Sequence, residues 1–235
     1  MISESQLNTL HNFTELLLKW FEKNRRDLPW RKKRDPYHIL VSEIMLQQTK
    51  VDLVIPIYEE FLRRFPTIEV LAGASLEQVR LITDKLGYTR RSKFLFEIAK
   101  ELSDRRKGVF PSSLDELLEL KGIGRYTAGA ILSFAFEKND KNAAIVDVNV
   151  ERVISRIFGT WRDERNAKFD RRMWAFAEEF IINGNVWTKN QAIMDLGAIL
   201  CVSSNPRCYI CPMNVLCKYY KQVVPKITPL DSFFE

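Results

Sequence analysis

All four cysteines of this chain fall in one short stretch, at Cys201, Cys208, Cys211 and Cys217. The spacing C-x6-C-x2-C-x5-C allows one loop to surround a single metal centre, because four thiolates can hold tetrahedral zinc or an iron–sulfur cluster. A zinc ribbon usually has two C-x2-C pairs, whereas this loop has one. Disulfides are a third option, which the polar N-terminus disfavours because it lacks an apolar secretion signal. The pattern therefore favours a cluster over zinc or disulfides.

Composition indicates a globular chain with a sizeable core, since 46% of its 235 residues are hydrophobic. The longest apolar runs, such as 192–202, are too short and too interrupted to span a bilayer, so we expect no membrane role. A net charge of +6 is compatible both with a polyanionic partner and with a mildly basic protein that has none. The sequence contains no H-E-x-x-H, GxxxxGK[ST] or GxGxxG motif, which argues against zinc hydrolases, nucleotide-driven motors and dinucleotide enzymes.

Apolar residues recur at helical spacing along almost the whole sequence, which predicts an all-α fold. Asp35-Pro36 predicts a helix start, with a capping carboxylate followed by a first-turn proline, and Ser113 predicts another. Further helices are expected near 51–64, 75–85, 91–105, 126–136, 149–158, 168–182 and 189–200. Only the stretch 143–146 has strand character, and only the tail after Tyr220 resembles a linker.

A glycine hairpin precedes one of these helices, where Gly122 and Gly124 flank Ile123 and are followed by Arg125. Glycines let a phosphate approach the backbone, the helix start offers free N–H groups, and the arginine adds charge. Such a pair of glycines is more often an ordinary turn. About twenty residues later Asp147 stands at the start of another helix, where an aspartate usually serves only as an N-cap.

In this order and spacing, the hairpin, Asp147 with Asn149, and the cysteine loop resemble the helix-hairpin-helix DNA glycosylase superfamily of endonuclease III and MutY. The resemblance covers roughly residues 20–218. It implies two helical domains with a DNA cleft between them, a 4Fe-4S cluster on the four cysteines, and base excision as the reaction. The implied domains are a six-helix barrel with the hairpin over 27–140, an iron–sulfur domain from 1–26 and 141–220, and a tail over 221–235.

Three segments, LPWR at 28–31, PY at 36–37 and VSEIMLQQTKV at 41–51, are very similar to MutY-type adenine glycosylases. Glu43 by itself would more often be a solvated or salt-bridged residue, but in this motif it corresponds to the catalytic acid. Gln48 corresponds to the residue that enters the gap left by the flipped base, and Tyr88 to an aromatic wedge. The resemblance thus implies excision of adenine mispaired with guanine or 8-oxoguanine.

The implied mechanism uses two carboxyl groups. Glu43, protonated in a partly apolar pocket, would give its proton to N7 of the extruded adenine, and Asp147 would stabilise or trap the oxocarbenium-like sugar. The other implied site residues are Tyr126 and Asn149, which orient these groups, Trp30, Arg31 and Gln191, which line the base pocket, and Arg207, which contacts a phosphate. Lyase members of the superfamily carry a lysine where this chain has Tyr126, so we expect a monofunctional enzyme.

The alternative within the superfamily is the thymine/uracil mismatch glycosylase, which also has a tyrosine at the position of Tyr126. That family typically has two arginines where this chain has Gln47 and Gln48, alanine near Val51, and leucine at the position of Gln191. These differences favour adenine. Two departures are Val148, where adenine enzymes generally have glycine, and the early end of the sequence, so the resemblance does not extend to discrimination of 8-oxoguanine. A noncatalytic DNA-binding iron–sulfur protein is the alternative from another class.

The tail contains Ile227, Leu230, Phe233 and Phe234, whose placement resembles the peptide by which repair enzymes bind a sliding clamp. Exposed phenylalanines at a terminus favour a partner, although a tail packed on its own domain remains an alternative. The resemblance further implies a monomer that acts on double-stranded DNA containing a mispair. We expect it to be intracellular, either cytoplasmic or nucleoid-associated.

Overall fold

The computed structural model describes residues 2–87, 89–159 and 167–222. Its helices are α1 (Glu4–Asn24), α2 (Pro36–Leu46), α3 (Val51–Arg64), α4 (Ile68–Ala72), α5 (Leu76–Thr83), α6 (Arg90–Arg106), α7 (Leu114–Leu118), α8 (Arg125–Phe134), α9 (Val148–Phe158), α10 (Ala167–Ile181), α11 (Val186–Ile199) and α12 (Lys218–Gln222). These described ranges contain no strand, so the all-α prediction is confirmed. None of their helices is long and apolar enough to cross a membrane.

The helices begin where the sequence places capping side chains. Asp35 Oδ1 accepts hydrogen bonds from the backbone N–H groups of Tyr37 and His38, at 2.8 and 3.2 Å. Ser113 accepts one from the N–H of Glu116. Such bonds satisfy N–H groups that have no partner within the helix, and each contributes about 1 kcal/mol. Local chemistry therefore sets these boundaries.

The strand character of 143–146 is not realised as a strand. A 3-10 turn covers Lys141–Ala143, and residues 144–147 continue without a partner strand. Ala143, Ala144 and Ile145 are buried. The apolar composition of this stretch therefore reflects burial among helices, because a short buried run has no periodicity that identifies a strand.

The chain divides into two compact units. The first, named here the hairpin unit, is Asp27–Lys138, and it contains α2 to α8. Its central helix is α2, which packs against α3 and α8 and buries residues on every side, including Leu40, Val41 and Ile44. A helix that is apolar all round belongs inside a core.

The second unit, named here the cysteine unit, combines Met1–Arg26 with Asn139–Glu235. Helix α11 packs against both α1 and α9, and the buried side chains include Phe13, Leu17 and Leu196. Asp195 on α11 is fully buried and accepts hydrogen bonds from the backbone N–H and Nε of Arg26, at 3.0 and 2.6 Å. This ion pair ties the segment after α1 to α11.

Candidate functional site

The glycine hairpin leaves bare backbone at the start of α8. Gly122 has a φ of 92°, and a Cβ atom there would lie 2.7 Å from the ring of Phe94. Ile123 and Leu120 are buried beneath the turn, and the N–H of Ile123 donates to the carbonyl of Leu120 at 3.0 Å. Gly124 is the N-cap of α8 and faces open space. This geometry suits an anion at the helix start.

Two cationic residues flank the hairpin. Arg125 is half-buried in the first turn of α8. Lys121 is exposed, and its Nζ lies 3.2 Å from Oε2 of Glu97. The positive charge of Lys121 is therefore partly balanced by a neighbouring carboxylate.

The Glu43 side chain is buried in the middle of α2, with 5% of its surface exposed. Helix α2 packs against α8, which carries the half-buried Tyr126. Trp30 is buried in a 3-10 turn and meets Tyr58 edge to face at 5.4 Å, while Arg31 in the same turn is half-buried. The structure thus places Glu43 and Tyr126 on neighbouring helices of one unit.

The turn between α2 and α3 exposes Gln47 and Gln48, and Val51 begins α3 half-buried. Gln48 has a positive φ of 56°. The carbonyl oxygens of Met45 and Gln47 both accept hydrogen bonds from the buried guanidinium of Arg91. Tyr88, the expected aromatic wedge, lies outside the described residues.

Asp147 is held rigidly at the start of α9. Its Oδ1 accepts hydrogen bonds from the backbone N–H groups of Asn149 and Val150, at 2.9 and 2.7 Å. Its Oδ2 accepts a third from Nδ2 of Asn149, at 2.8 Å. Both Asp147 and Asn149 are half-buried. The expected N-cap bonds are therefore present, and Asn149 additionally fixes the orientation of the carboxylate.

Arg152 joins this carboxylate to the cysteine loop. Its Nη2 donates to Oδ1 of Asn149 and to the carbonyl of Gly197, both at 2.7 Å. Its Nε donates to the carbonyl of Cys201, also at 2.7 Å. A Cβ atom at Gly197 would lie 2.8 Å from Cβ of Asn149, so α11 and α9 approach closely there. A continuous set of hydrogen bonds therefore runs from Asp147 to Cys201.

Gln191 lies buried on α11 in the cysteine unit. The neighbouring Asn190 donates from Nδ2 to the carbonyl of Ala143 at 2.8 Å, which fixes this part of α11 against the segment before Asp147. An amide side chain buried at this position can donate and accept, which an aliphatic side chain cannot.

The four cysteines line one cavity, whose walls include Val153, Leu196 and Met213. All four cysteines are free in this structure. Burial raises the pKa of the Cys211 thiol to about 12. Burial and the neighbouring sulfurs also raise the pKa values of Cys208 and Cys217. Four thiolates here need a compensating positive charge.

Arg156 supplies one such charge. Its Nη1 lies 3.4 Å from Sγ of Cys201 and 2.7 Å from the carbonyl of Val202, and its guanidinium stacks over Tyr219 at 4.7 Å. In the described part of the chain no three His, Cys, Asp or Glu side chains are gathered as ligands for a single metal ion.

The expected site residues fall into two sets, one in each unit. The hairpin unit holds Trp30, Arg31, Glu43, Gln47, Gln48, Val51, Gly122, Gly124, Arg125 and Tyr126, and the cysteine unit holds Asp147, Asn149, Gln191, Arg207 and the four cysteines. Arg207 is exposed in the cysteine loop.

Three arginines that support these residues were not predicted from the sequence. Arg91 lies at helical spacing from the buried Leu95 and Ile98 on α6. This spacing in the sequence indicates that Arg91 is buried with them. Arg152 and Arg156 stand four residues apart on α9, a spacing that places them on one helix face.

Two helices joined by a glycine turn at the start of the second helix are the motif of helix-hairpin-helix proteins, and this chain has that motif. The model of the HhH-GPD superfamily base excision DNA repair protein matches residues 41–179. The chain therefore belongs to this superfamily, and the resemblance to its MutY and endonuclease III members is confirmed.

Similar proteins include adenine and thymine/uracil DNA glycosylases. The adenine DNA glycosylase of Buchnera aphidicola subsp. Baizongia pistaciae is 39% identical over 209 residues, which are 88% of this chain and 58% of that protein. The thymine/uracil-DNA glycosylase of Pyrobaculum aerophilum is 35% identical over 215 residues, which are 89% of this chain and 92% of that protein. The solved structure of a thermostable thymine-DNA glycosylase is 32% identical in sequence and has a TM-score of 0.83. The match covers 91% of this chain and 97% of that chain. The chain thus spans less than two thirds of the adenine relative.

Proposed function

We propose that this chain is a monofunctional DNA glycosylase that releases adenine mispaired with guanine or 8-oxoguanine from double-stranded DNA. The observation that carries the proposal is a pair of carboxyl groups in contrasting settings. Glu43 is buried within α2, whereas Asp147 is half-buried and accepts three hydrogen bonds. In glycoside hydrolysis two carboxyl groups act separately, one as the acid and one as the stabiliser of positive charge, because their environments differ.

In the proposed reaction Glu43 protonates N7 of the extruded adenine, which makes the base a better leaving group. Positive charge then develops on the sugar, and the Asp147 carboxylate stabilises or traps it. Asn149 holds Asp147 in place, and Tyr126 orients the groups on the hairpin unit. Water completes the hydrolysis and leaves an abasic site, because Tyr126 offers no amine nucleophile.

DNA contacts are assigned to both units. The backbone of Gly122 and Gly124, together with Arg125, would hold a phosphate at the start of α8. The exposed Arg207 would hold another. Such contacts position the duplex without reading its sequence.

Base choice is assigned to a separate group of side chains. Gln48 would fill the gap left by the extruded base, and Tyr88 would wedge beside the opposing purine. The remaining contacts to the base are proposed for Trp30, Arg31, Gln47, Val51 and Gln191. The amide of Gln191 supports a purine substrate because it can pair with a base edge.

The cysteine cavity is proposed to hold a 4Fe-4S cluster on Cys201, Cys208, Cys211 and Cys217. Four thiols that line one cavity, one of them buried and three half-buried, suit a group that all four can ligate, and Arg156 beside Cys201 offsets negative charge. Such a cluster would organise the loop that carries Arg207. The residues proposed for the chemistry, Glu43 and Asp147, are not among its ligands.

A thymine/uracil mismatch glycosylase is the second candidate. It is supported by the 92% coverage of the thymine/uracil relative and by the TM-score of 0.83 to the thymine enzyme. Gln47, Gln48, Val51 and Gln191 count against it, since that family typically carries other residues there.

The test is single-turnover base release from duplexes that contain one A·8-oxoguanine, A·G, T·G or U·G pair, followed by alkali. We expect cleavage of the adenine strand. The variants Glu43→Gln and Asp147→Asn should bind DNA like the wild type and lose release by at least about a hundredfold. Release of thymine or uracil would support the second candidate, and an active carboxyl variant would defeat the proposed roles.

The tail is proposed to bind a sliding clamp through Ile227, Leu230, Phe233 and Phe234, which lie outside the described residues. The spacing of these apolar side chains supports this assignment. Deletion of residues 226–235 should abolish the heat of clamp binding in calorimetry while base release continues. Equal heats with and without the tail would rule out this partner.

A further inference from the structure

The turn that carries Gln48 adopts a conformation that glutamine disfavours. Gln47 has φ −55° and ψ 114°, Gln48 has φ 56°, and the N–H of Thr49 donates to the carbonyl of Leu46 at 3.2 Å. These angles correspond to a type II turn, whose third position is usually glycine or asparagine. A glutamine keeps a positive φ only where its surroundings impose it.

The buried side chain of Arg91 holds the turn in this conformation through hydrogen bonds to its backbone. Its side chain is 1% exposed, its Nη1 donates to the carbonyl of Met45 at 3.0 Å, and its Nη2 donates to the carbonyl of Gln47. Type I and type II turns differ by a rotation of the peptide that contains the Gln47 carbonyl. A donor fixed on that oxygen therefore selects type II. The second bond anchors the guanidinium to the end of α2, where carbonyls lack helical partners.

The guanidinium is itself held in place. Arg91 belongs to the first turn of α6 and lies on the same face as the fully buried Leu95 and Ile98. Its neighbour Ser92 is hydrogen-bonded through Oγ to Asp84 and Thr83, at 2.6 and 2.7 Å. Arg91 is therefore too buried to serve as a surface charge for DNA.

We propose that Arg91 is a positioning residue for base extrusion, which acts by holding the Gln47–Gln48 peptide in the orientation that presents Gln48 to the DNA. The inference rests on the proposed function, because the gap-filling role of Gln48 is part of it. Without Arg91 the peptide can rotate toward type I, and the Gln48 side chain loses its fixed position.

The experiment separates extrusion from chemistry. Extrusion is measured by the fluorescence of 2-aminopurine placed opposite guanine in a duplex. For this measurement each variant also carries Glu43→Gln, and the protein is at saturating concentration. Chemistry is read in otherwise wild-type protein, from adenine release in an A·G duplex and in a duplex where the adenine is an unpaired bulge. An unpaired base costs less to extrude, so its release depends less on Gln48.

For Arg91→Met we expect a smaller fluorescence increase, release from the A·G duplex slowed about tenfold, and release from the bulge changed less than about twofold. Arg91→Lys should be intermediate because it keeps a donor. The matched control is Arg90→Met, which removes the same charge from the exposed neighbouring residue and should behave like the wild type at saturation.

Folding of each variant is checked by circular dichroism. If Arg91→Met does not fold, Arg91→Lys with Gln48→Asn replaces it, and the asparagine should restore fluorescence because it tolerates positive φ. Normal fluorescence in the Arg91 variants, or equal losses on both duplexes, would overturn the inference. A wild type that releases no adenine would defeat the proposed function, while the 2-aminopurine response would still test Arg91.

Discussion

Gly122 and Gly124 flank the same buried isoleucine, yet their backbones tolerate side chains differently. Gly122 combines a left-handed φ of 92° with a Phe94 ring 2.7 Å from the position of a Cβ atom. Gly124 has a φ of −97° and no atom near that position. Only the first glycine is therefore required by the fold itself.

Gly122→Ala should lower the free energy of unfolding of the chain by about 1–3 kcal/mol, because it adds backbone strain and a clash with Phe94. Denaturant unfolding followed by circular dichroism measures the change. Gly124→Ala is the control and should shift stability by less than about 0.5 kcal/mol. Equal effects at both glycines would contradict this account of the hairpin.

At the level of elements, the contact of α9 with α11 places the proposed catalytic carboxylate. Gly197 allows the two helices to approach, and Arg152 bonds to the carbonyls of Gly197 and Cys201 as well as to Asn149. The position of Asp147 therefore depends on helix packing in addition to its own cap bonds.

Arg152→Met should slow adenine release about tenfold and cost about 1–3 kcal/mol of stability, because two part-buried carbonyls lose their donor and Asn149 loses its hydrogen bond from Arg152. DNA affinity should change less than about twofold. Single-turnover kinetics and a binding titration measure the two effects. Arg171→Met on the exposed face of α10 is the charge-matched control. Wild-type rates for Arg152→Met would show that the hydrogen-bond chain has no role in release.

At the level of the whole molecule, the two units have separate cores, and all four cysteines lie in one of them. A cofactor on the cysteines would therefore stabilise the cysteine unit directly. Ligand-linked stability is confined to the part of a protein that binds the ligand when the parts unfold as separate cooperative units.

Cys211→Ser should reduce the absorbance band expected near 400 nm, roughly where iron–sulfur proteins absorb. It should also speed amide hydrogen exchange in α9 and α11 while α2 and α8 keep their protection, since the latter belong to the other core. Exchange followed by mass spectrometry measures both units in one sample. Ser203→Ala in the same loop is the control. Faster exchange in both units would mean that they do not unfold separately.

The sequence by itself determined the elements and the local motifs. Helix α3 was expected at 51–64 and occurs at Val51–Arg64, and the caps at Asp35 and Ser113 were predicted from residue type. The short helices α4 and α12 were missed, because five residues are too few to establish a helical period. Capping and periodicity act over a few residues, so sequence displays them directly.

Only the tertiary structure decided which polar side chains support the candidate site. Arg91 bonds to a carbonyl 44 residues away, and Arg152 to one 49 residues away. In the sequence the position of Arg91 in an apolar stripe indicates burial and the spacing of Arg152 and Arg156 indicates a shared helix face, but neither pattern shows which groups they contact. Their partners are set by the packing of α6 beneath the Gln48 turn and of α9 against α11. Packing brings together groups that local propensity cannot relate, because propensity extends only over neighbouring residues.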